Sequence, residues 1–503
     1  MTTRTADYVI AGGGTAGAVV ARRLADQGHE VILIEAGPTG VGDPRVEILT
    51  RWEEMIETDL DWDLPIEPAT AGNPAVRYAQ GRILGGSSAH NNAIAFRAAS
   101  WDLDRWAELG ATGWAANDCE PYWERVFGRV TLEDARHDHP WAQAFLAAGQ
   151  QAGLPLVDMG APDIAEGIGW FRQNKHGERR TSSAVAYLFP LDALPPSLTV
   201  LTGVTVLRVL LDEAGDAIGV ATSDGDVLAR KEVVVSGGTF GSPKILMLSG
   251  IGPADALRAA GIEPRVDLPG VGGHLVDHVE TTVLWEAYGP PDFTNDTHWT
   301  VGFFATIDRG DADGGARHPE IQANLSTTRS DEITVAAGYP SAEHVFSLHP
   351  NVANPRGEGR VSLRSADPAD PVRIVSGHFA DGDGYEAAVL AEGIRWVRRL
   401  AAQPAFAGII KRELAPGPEL TGDEELAEYA RRTSYTGFHP VGTCRMGAAD
   451  DPDAVVDAEL RVRGVGRLRV ADASVFPTIT SANPCMTVMM VAERCAAFLA
   501  GER

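Results

Sequence analysis

Residues 8–10, with the apolar positions Val9 and Ile10, are the start of a short buried strand, followed at once by a glycine turn at residues 12–17. A helical stretch is predicted over residues 16–26, then a second apolar run over residues 31–34 that ends at Glu35. Strand, helix and strand in that order make a βαβ unit at the start of the chain. Further on, residues 198–209 and 227–236 are rich in β-branched and aliphatic side chains and predict strands. Residues 243–248 predict a short helix after a glycine turn, and residues 386–402 have helical spacing. Residues 289–317 hold so many Asp, Gly and Pro that a loop is expected. A short apolar strand at residues 468–470 precedes Asp472, and residues 483–499 open with Pro484 in a first helical turn and then run apolar. No internal repeat and no low-complexity tract interrupts this order.

Composition adds limits. At roughly 100–200 residues per domain, 503 residues predict two or three lobes. The apolar fraction of 44% and charged fraction of 22% are those of an ordinary globular protein. Asp and Glu number 69 against 43 Lys and Arg, a formal net charge of -26. Such a chain lacks the basic footprint that phosphate recognition needs, so nucleic acid is not expected as a partner. An acidic field attracts cationic small molecules. The four cysteines, Cys119, Cys444, Cys485 and Cys495, form no CxxC pair, so neither a zinc site nor a redox dithiol is expected. With no apolar stretch long enough for a bilayer and no signal-like start, a cytoplasmic protein without membrane contact is expected.

Gly12-Gly13-Gly14-Thr15-Ala16-Gly17 fits G-x-G-x-x-G between a strand and a helix. Glycines there permit a tight turn and close backbone approach, and the helix N-terminus turns free N–H groups toward a pyrophosphate. Glu35 follows about 20 residues on, where a carboxylate accepts both ribose hydroxyls and repels a 2′-phosphate. The pattern predicts a dinucleotide other than NADP and leaves NAD and FAD both open.

Longer segments narrow that choice by resemblance. Residues 81–92, from Gly81-Arg82-Ile83-Leu84-Gly85-Gly86-Ser87-Ser88 to His90-Asn91-Asn92, resemble the first signature of the glucose-methanol-choline (GMC) oxidoreductase family. Residues 238–252 resemble its second. Phe438-His439-Pro440-Val441-Gly442-Thr443 and Asn483-Pro484 resemble its C-terminal active-site elements, and Arg469-Val470-Ala471-Asp472 its late flavin-contacting strand. The matches run in family order over nearly the whole chain. The resemblance implies FAD, held by the N-terminal motif residues, by Arg82, Gly86, Ser87, Asn91, Asn92, Ala93 and Val206, and by Asp472, Asn483 and Pro484. It implies an α/β, two-lobed fold: a Rossmann-like FAD domain over residues 1–150, 193–277 and 437–503, and a substrate domain with a large antiparallel sheet over 151–192 and 278–436. A homodimer is plausible on the same ground.

Within the family, Arg51-Trp52, Asp61-Trp62-Asp63, His90-Asn91, Ala95-Phe96 and Asp277-His278 resemble the choline-oxidising branch. There the histidine matching His90 is bonded to the flavin 8α-methyl carbon, so a covalent FAD anchor is implied.

Alcohol oxidation by a flavin needs a base for the hydroxyl proton, donors for the alkoxide-like transition state, and a carbon aimed at flavin N5. The resemblance assigns the first two tasks to His439 and Asn483. Whether His439 takes the proton or stabilises the alkoxide as imidazolium stays open. His274, His278 and His298 lie outside such a motif and are read as structural.

The resemblance places Glu280 and Trp52, and more loosely Trp299, where the branch binds a trimethylammonium group. A quaternary ammonium has no N–H and is held only by charge and aromatic faces. Three departures change the pocket: Asn92 stands for a serine, Asn324 for a second histidine, and Phe438 for a tyrosine. The reading is therefore an FAD oxidase of cationic or polar primary alcohols with O2 as acceptor. The alternatives are a dehydrogenase with another acceptor, or a lyase that keeps its flavin without redox turnover.

Overall fold

The computed structural model describes residues 4–67, 76–290, 297–307 and 318–502. Two sheets organise it. The first runs Leu198–Thr202, Val31–Glu35, Arg4–Ala11, Gly225–Val235, Ala217–Thr222, Val206–Leu211, with Leu468–Val470 also paired to Gly225–Val235. Its centre is parallel, because helix Gly17–Asp26 carries the chain back between Arg4–Ala11 and Val31–Glu35. Val31–Glu35 is buried along its whole length, and most of Arg4–Ala11 is too, as both faces of a parallel sheet are covered. Helices Gly17–Asp26 and Cys485–Leu499 pack together against this core.

The second sheet is antiparallel: Ile410–Ala415, Val283–Ala287, Val345–Val352, Ile321–Ser326, Val301–Ala305, Gly167–Trp170. Val279–Glu280 and Tyr435–Thr436 extend it beside Val345–Val352. Alternation gives this sheet two unlike faces. Ile321, Ala323 and Leu325, with Phe346, Leu348 and Val352, join the core under helix Tyr385–Ala401. The alternate positions Gln322, Asn324, Ser326, Ser347, His349 and Asn351 are polar, yet equally buried. Register sets Asn324 opposite His349, and Glu280 opposite both Asn351 and Tyr435. A buried polar stripe of this kind needs partners.

Three elements differ from expectation. The helix predicted over 243–248 begins at Gly238, with Pro243 inside it. The strand Ala217–Thr222 lies between the two predicted β segments. The loop expected over 289–317 contains strand Val301–Ala305, whose side chains are buried; composition hid it because the Asp and Gly flank it. The rest of that expectation, at residues 291–296 and 308–317, lies outside the described residues. Among the described residues, no helix is long and apolar enough to cross a membrane, and no cluster of three His, Cys, Asp or Glu side chains is disposed to hold a metal.

Candidate active site

The polar face of the antiparallel sheet and the glycine end of the parallel sheet enclose one cleft of about 740 Å³. That lies within the ~300–1,000 Å³ of cofactor and substrate sites.

At the nucleotide end each glycine answers a different constraint. Gly12 has φ +111°, and a Cβ there would lie 2.3 Å from the Ser236 carbonyl. At Gly17 a Cβ would lie 1.9 Å from the Gly12 carbonyl, so helix and strand approach only without one. Gly14 is open: its nearest neighbour would be 3.8 Å away, and the residue lines the cleft. The protein itself does not require glycine at position 14, whereas a ligand pressed onto that backbone does. Thr15 and Ala16 line the cleft beside it. Glu35 is fully buried and accepts from the backbone N–H of Gly13 (2.9 Å) and Gly37 (2.8 Å). Burial pushes its carboxyl up to about 7, against those two hydrogen bonds.

Helix Cys485–Leu499 turns its N-terminus to the cleft, with Pro484 and Cys485 in the lining, and supplies a partial positive charge there. His90 is 4% exposed and its Nε2 has no partner, while the Met55 backbone engages the ring. Burial lowers the His90 pKa, so the ring is neutral and Nε2 presents a lone pair. A glycine-bared turn, a ribose-directed carboxylate, a helix N-terminus and an orphaned imidazole nitrogen together fit FAD. Gly12, Gly14 and Glu35 would hold its nucleotide half, and His90, Asn92 and Pro484 its ring.

Several expected contacts have a different part. Gly17 and Ala93 do not line the cleft: Gly17 lets the first helix approach, and Ala93, at φ +60°, is a fully buried turn residue. Asn91 reaches the cleft, but its Oδ1 accepts from the Ala93 N–H and from Arg180, both at 2.9 Å. Asp472 is spent on the protein: one oxygen takes Gly238 N–H and Ser242 Oγ, the other Ser474 N–H and Oγ. It clamps the second glycine turn rather than offering a free carboxylate. Arg82, Gly86, Ser87 and Val206 line the cleft, with the Arg82 guanidinium over the Trp62 ring at 5.3 Å.

At the substrate end, His439 Nε2 lies 2.8 Å from Asn483 Nδ2. The other ring nitrogen lies 2.8 Å from Nδ1 of His278. That contact corrects the reading of His278 as merely structural. His278 Nε2 faces two carbonyls, Ala353 (3.1 Å) and Thr480 (3.0 Å), which can only accept, so it carries the proton. Burial lowers the His278 pKa and keeps the ring neutral, so its Nδ1 is a lone pair. His439 must then donate from Nδ1, which leaves Nε2 bare toward the cleft. Burial and the neighbouring His278 lower the His439 pKa to about 3. Asp277 accepts from the His439 backbone N–H (2.9 Å) and from Tyr78 (2.5 Å) and Thr436. Burial would raise that carboxyl, but hydrogen bonds from His378, Thr436 and Tyr78 hold it below the usual range.

Glu280, Trp52, Trp299, Asn324 and Phe438 line the same cleft. Glu280 is 6% exposed, and burial pushes its carboxyl up to about 7. The Trp299 ring meets His349 edge-on at 4.6 Å, and Phe438 is half exposed. Asn92 donates from Nδ2 to the His298 carbonyl at 2.9 Å; its Oδ1 and that of Asn324 have no partner. His349 and Tyr435 were not expected here. The signal for them is strand alternation, which puts polar side chains at 347, 349 and 351 on one face of a fully buried strand.

Comparison with known proteins agrees with this geometry. The N-terminal GMC oxidoreductase family model matches residues 6–280, and the C-terminal one residues 355–492. Choline oxidase of Arthrobacter globiformis is 41% identical over 99% of this chain and 95% of its own length. Oxygen-dependent choline dehydrogenase of Brucella anthropi is 34% identical over 99% and 96%. Among solved structures, pyridoxine 4-oxidase of Mesorbium loti superposes with a TM-score of 0.87 at 28% identity, covering 99% of each chain. Formate oxidase also reaches 0.87, at 24% identity, a likeness of fold. The chain belongs to the GMC oxidoreductases and is an FAD-dependent oxidoreductase that acts on alcohol groups.

Proposed function

We propose that this enzyme oxidises a primary alcohol carrying a cationic head group, of the choline type, and that O2 is the final electron acceptor. The carrying observation is Glu280: a fully buried carboxylate in the cleft of His439 and Asn483, with Trp52 and Trp299 also in the lining. A buried carboxylate is costly unless something positive meets it. No Lys or Arg ion pair to Glu280 occurs among the described residues; its charged-type neighbour is His349, 3.8 Å away, which burial keeps neutral. A cationic substrate supplies the missing charge. The names of the two curated relatives, both acting on choline, support the same reading.

The residues divide the work. The alcohol oxygen bridges His439 Nε2 and the Asn483 amide, gives its proton to Nε2, and keeps a donor from Asn483 as negative charge develops. His278 fixes the tautomer that makes Nε2 the base. When bound, FAD accepts the hydride from the carbinol carbon, and O2 then takes the two electrons to give H2O2. His90, through its free Nε2, is the proposed covalent anchor of that FAD.

The test is anaerobic mixing of the holoenzyme with choline and other amino alcohols, neutral sugars and aryl alcohols, followed by flavin absorbance. Rapid bleaching by the cationic alcohols is expected. Bleaching confined to uncharged alcohols would refute the reading. Oxygen uptake with stoichiometric peroxide is expected of an oxidase; turnover only with an added quinone or dye would assign the acceptor elsewhere. Acid precipitation should leave the yellow chromophore on the protein.

A further inference from the structure

Glu280 is the last member of a chain of hydrogen bonds that begins outside the cleft. Tyr435 Oη lies 2.5 Å from Glu280 Oε1. Nδ1 of His349 lies 2.6 Å from Tyr435 Oη, and Nε2 of the same ring lies 2.9 Å from Ser347 Oγ. Asn351 Nδ2 reaches the other carboxylate oxygen at 3.4 Å. Thr282 Oγ1 stands 3.2 Å from His349 Nδ1. All these groups are buried or nearly so, and Glu280, Tyr435 and Trp299 face the cleft.

Proton counting gives the chain a direction. An ionised Glu280 only accepts, so Tyr435 spends its one proton on it. The tyrosine oxygen must then accept from His349 Nδ1–H, and the bare Nε2 accepts from Ser347. If Glu280 is protonated, every bond in the row reverses. The direction of the row therefore reports the charge on Glu280.

We propose that Tyr435, backed by His349, is the positioning residue that keeps Glu280 ionised and aimed at the substrate head group, and so sets the preference for charged alcohols. The proposal rests on the cationic-alcohol reading and deepens it. The forces on Glu280 are closely balanced. Burial and the Asp277 charge raise its pKa, while hydrogen bonds from Tyr435 and Asn351 lower it. His349 faces it from the next strand as a neutral ring, since burial lowers that pKa to about 3. Losing the hydroxyl removes a hydrogen bond to the charged form, which is worth roughly one pH unit or more.

The variant is Tyr435→Phe in the holoenzyme, which deletes one oxygen and keeps the ring. The readout is kcat/KM between about pH 5 and 9 for choline and for its uncharged carbon isostere, 3,3-dimethylbutan-1-ol. With choline, the acid limb should move up by about one unit and kcat/KM at neutral pH should fall about tenfold. The isostere should be unaffected. Added to Glu280→Gln, Tyr435→Phe should change the ratio between the two alcohols no further. Equal losses on both alcohols, or an unmoved limb, would overturn the proposal. Infrared difference spectra across the same pH range give a substrate-free reading. The protonated carboxyl band lost in Glu280→Gln should reach its midpoint at higher pH in Tyr435→Phe. An unmoved midpoint overturns the relay even if charged alcohols are preferred. A shifted midpoint in an enzyme indifferent to charge upholds the relay and overturns the cationic reading instead.

Discussion

The two ends of the cleft are built in opposite ways. At the nucleotide end the chemistry is local and mostly backbone: a glycine turn, a helix N-terminus, and a carboxylate 22 residues from the amide it binds. At the substrate end it is side-chain chemistry assembled from afar. His439 and its partner His278 are 161 residues apart, and Glu280 and Tyr435 are 155 apart. The first end is made rigid by sterics, since a Cβ at Gly12 or Gly17 meets a carbonyl oxygen. The second is held by the direction of hydrogen bonds, which a single proton can reverse. The nucleotide end should therefore fail by losing cofactor, and the substrate end by losing rate, charge preference or pH behaviour with the cofactor in place.

The sharpest break of that contrast lies within the glycine turn. Gly17→Val should abolish flavin binding and lower the yield of folded protein, because its Cβ alone would stand 1.9 Å from a carbonyl oxygen. Gly14→Ala should fold normally and release flavin more readily, since only the ligand competes for that space. Thermal unfolding of the apoprotein beside flavin content in the purified enzyme separates them. Equal destabilisation of both apoproteins would contradict the ligand-approach account of Gly14.

Next in size, His439→Ala should lower kcat by about 10³-fold while retaining its flavin, within the range for loss of a general base. Rapid-mixing flavin reduction measures it, and near-normal reduction would remove His439 from the chemistry.

Glu280→Gln should then lower kcat/KM for a cationic alcohol by about 10²-fold at pH 8 and leave an uncharged one close to unchanged. The pH sign follows from the carboxyl raised to about 7: ionised above that value, neutral below, so binding of a cation is lost as pH falls through it. His439, lowered to about 3, stays a free base over the whole range and adds no limb there. An acid limb near 7 for charged substrates only, absent in Glu280→Gln, is the expected profile.

The smallest effect belongs to the tautomer. His278→Leu removes the acceptor for His439 Nδ1–H and should cost roughly ten- to a hundredfold in kcat. His278→Asn, whose amide oxygen falls near the lost Nδ1, should recover part of it. Loss in KM alone would point to packing.

What the sequence by itself determined was whatever is written contiguously. The βαβ start, the glycine turn with Glu35, and the paired His439 and Asn483 were legible because each motif carries its own flanks and its own backbone reason. Strand Val301–Ala305 was not, because its five apolar residues are outweighed by the Asp- and Gly-rich stretches around them. His278, His349 and Tyr435 were not either. Each is an ordinary polar residue along the chain, and only sheet register brings them to His439 and Glu280. Protonation and tautomer belong to that second category, since they depend on burial and on which acceptors a ring nitrogen faces. Both are properties of the folded neighbourhood, set by residues more than a hundred positions away.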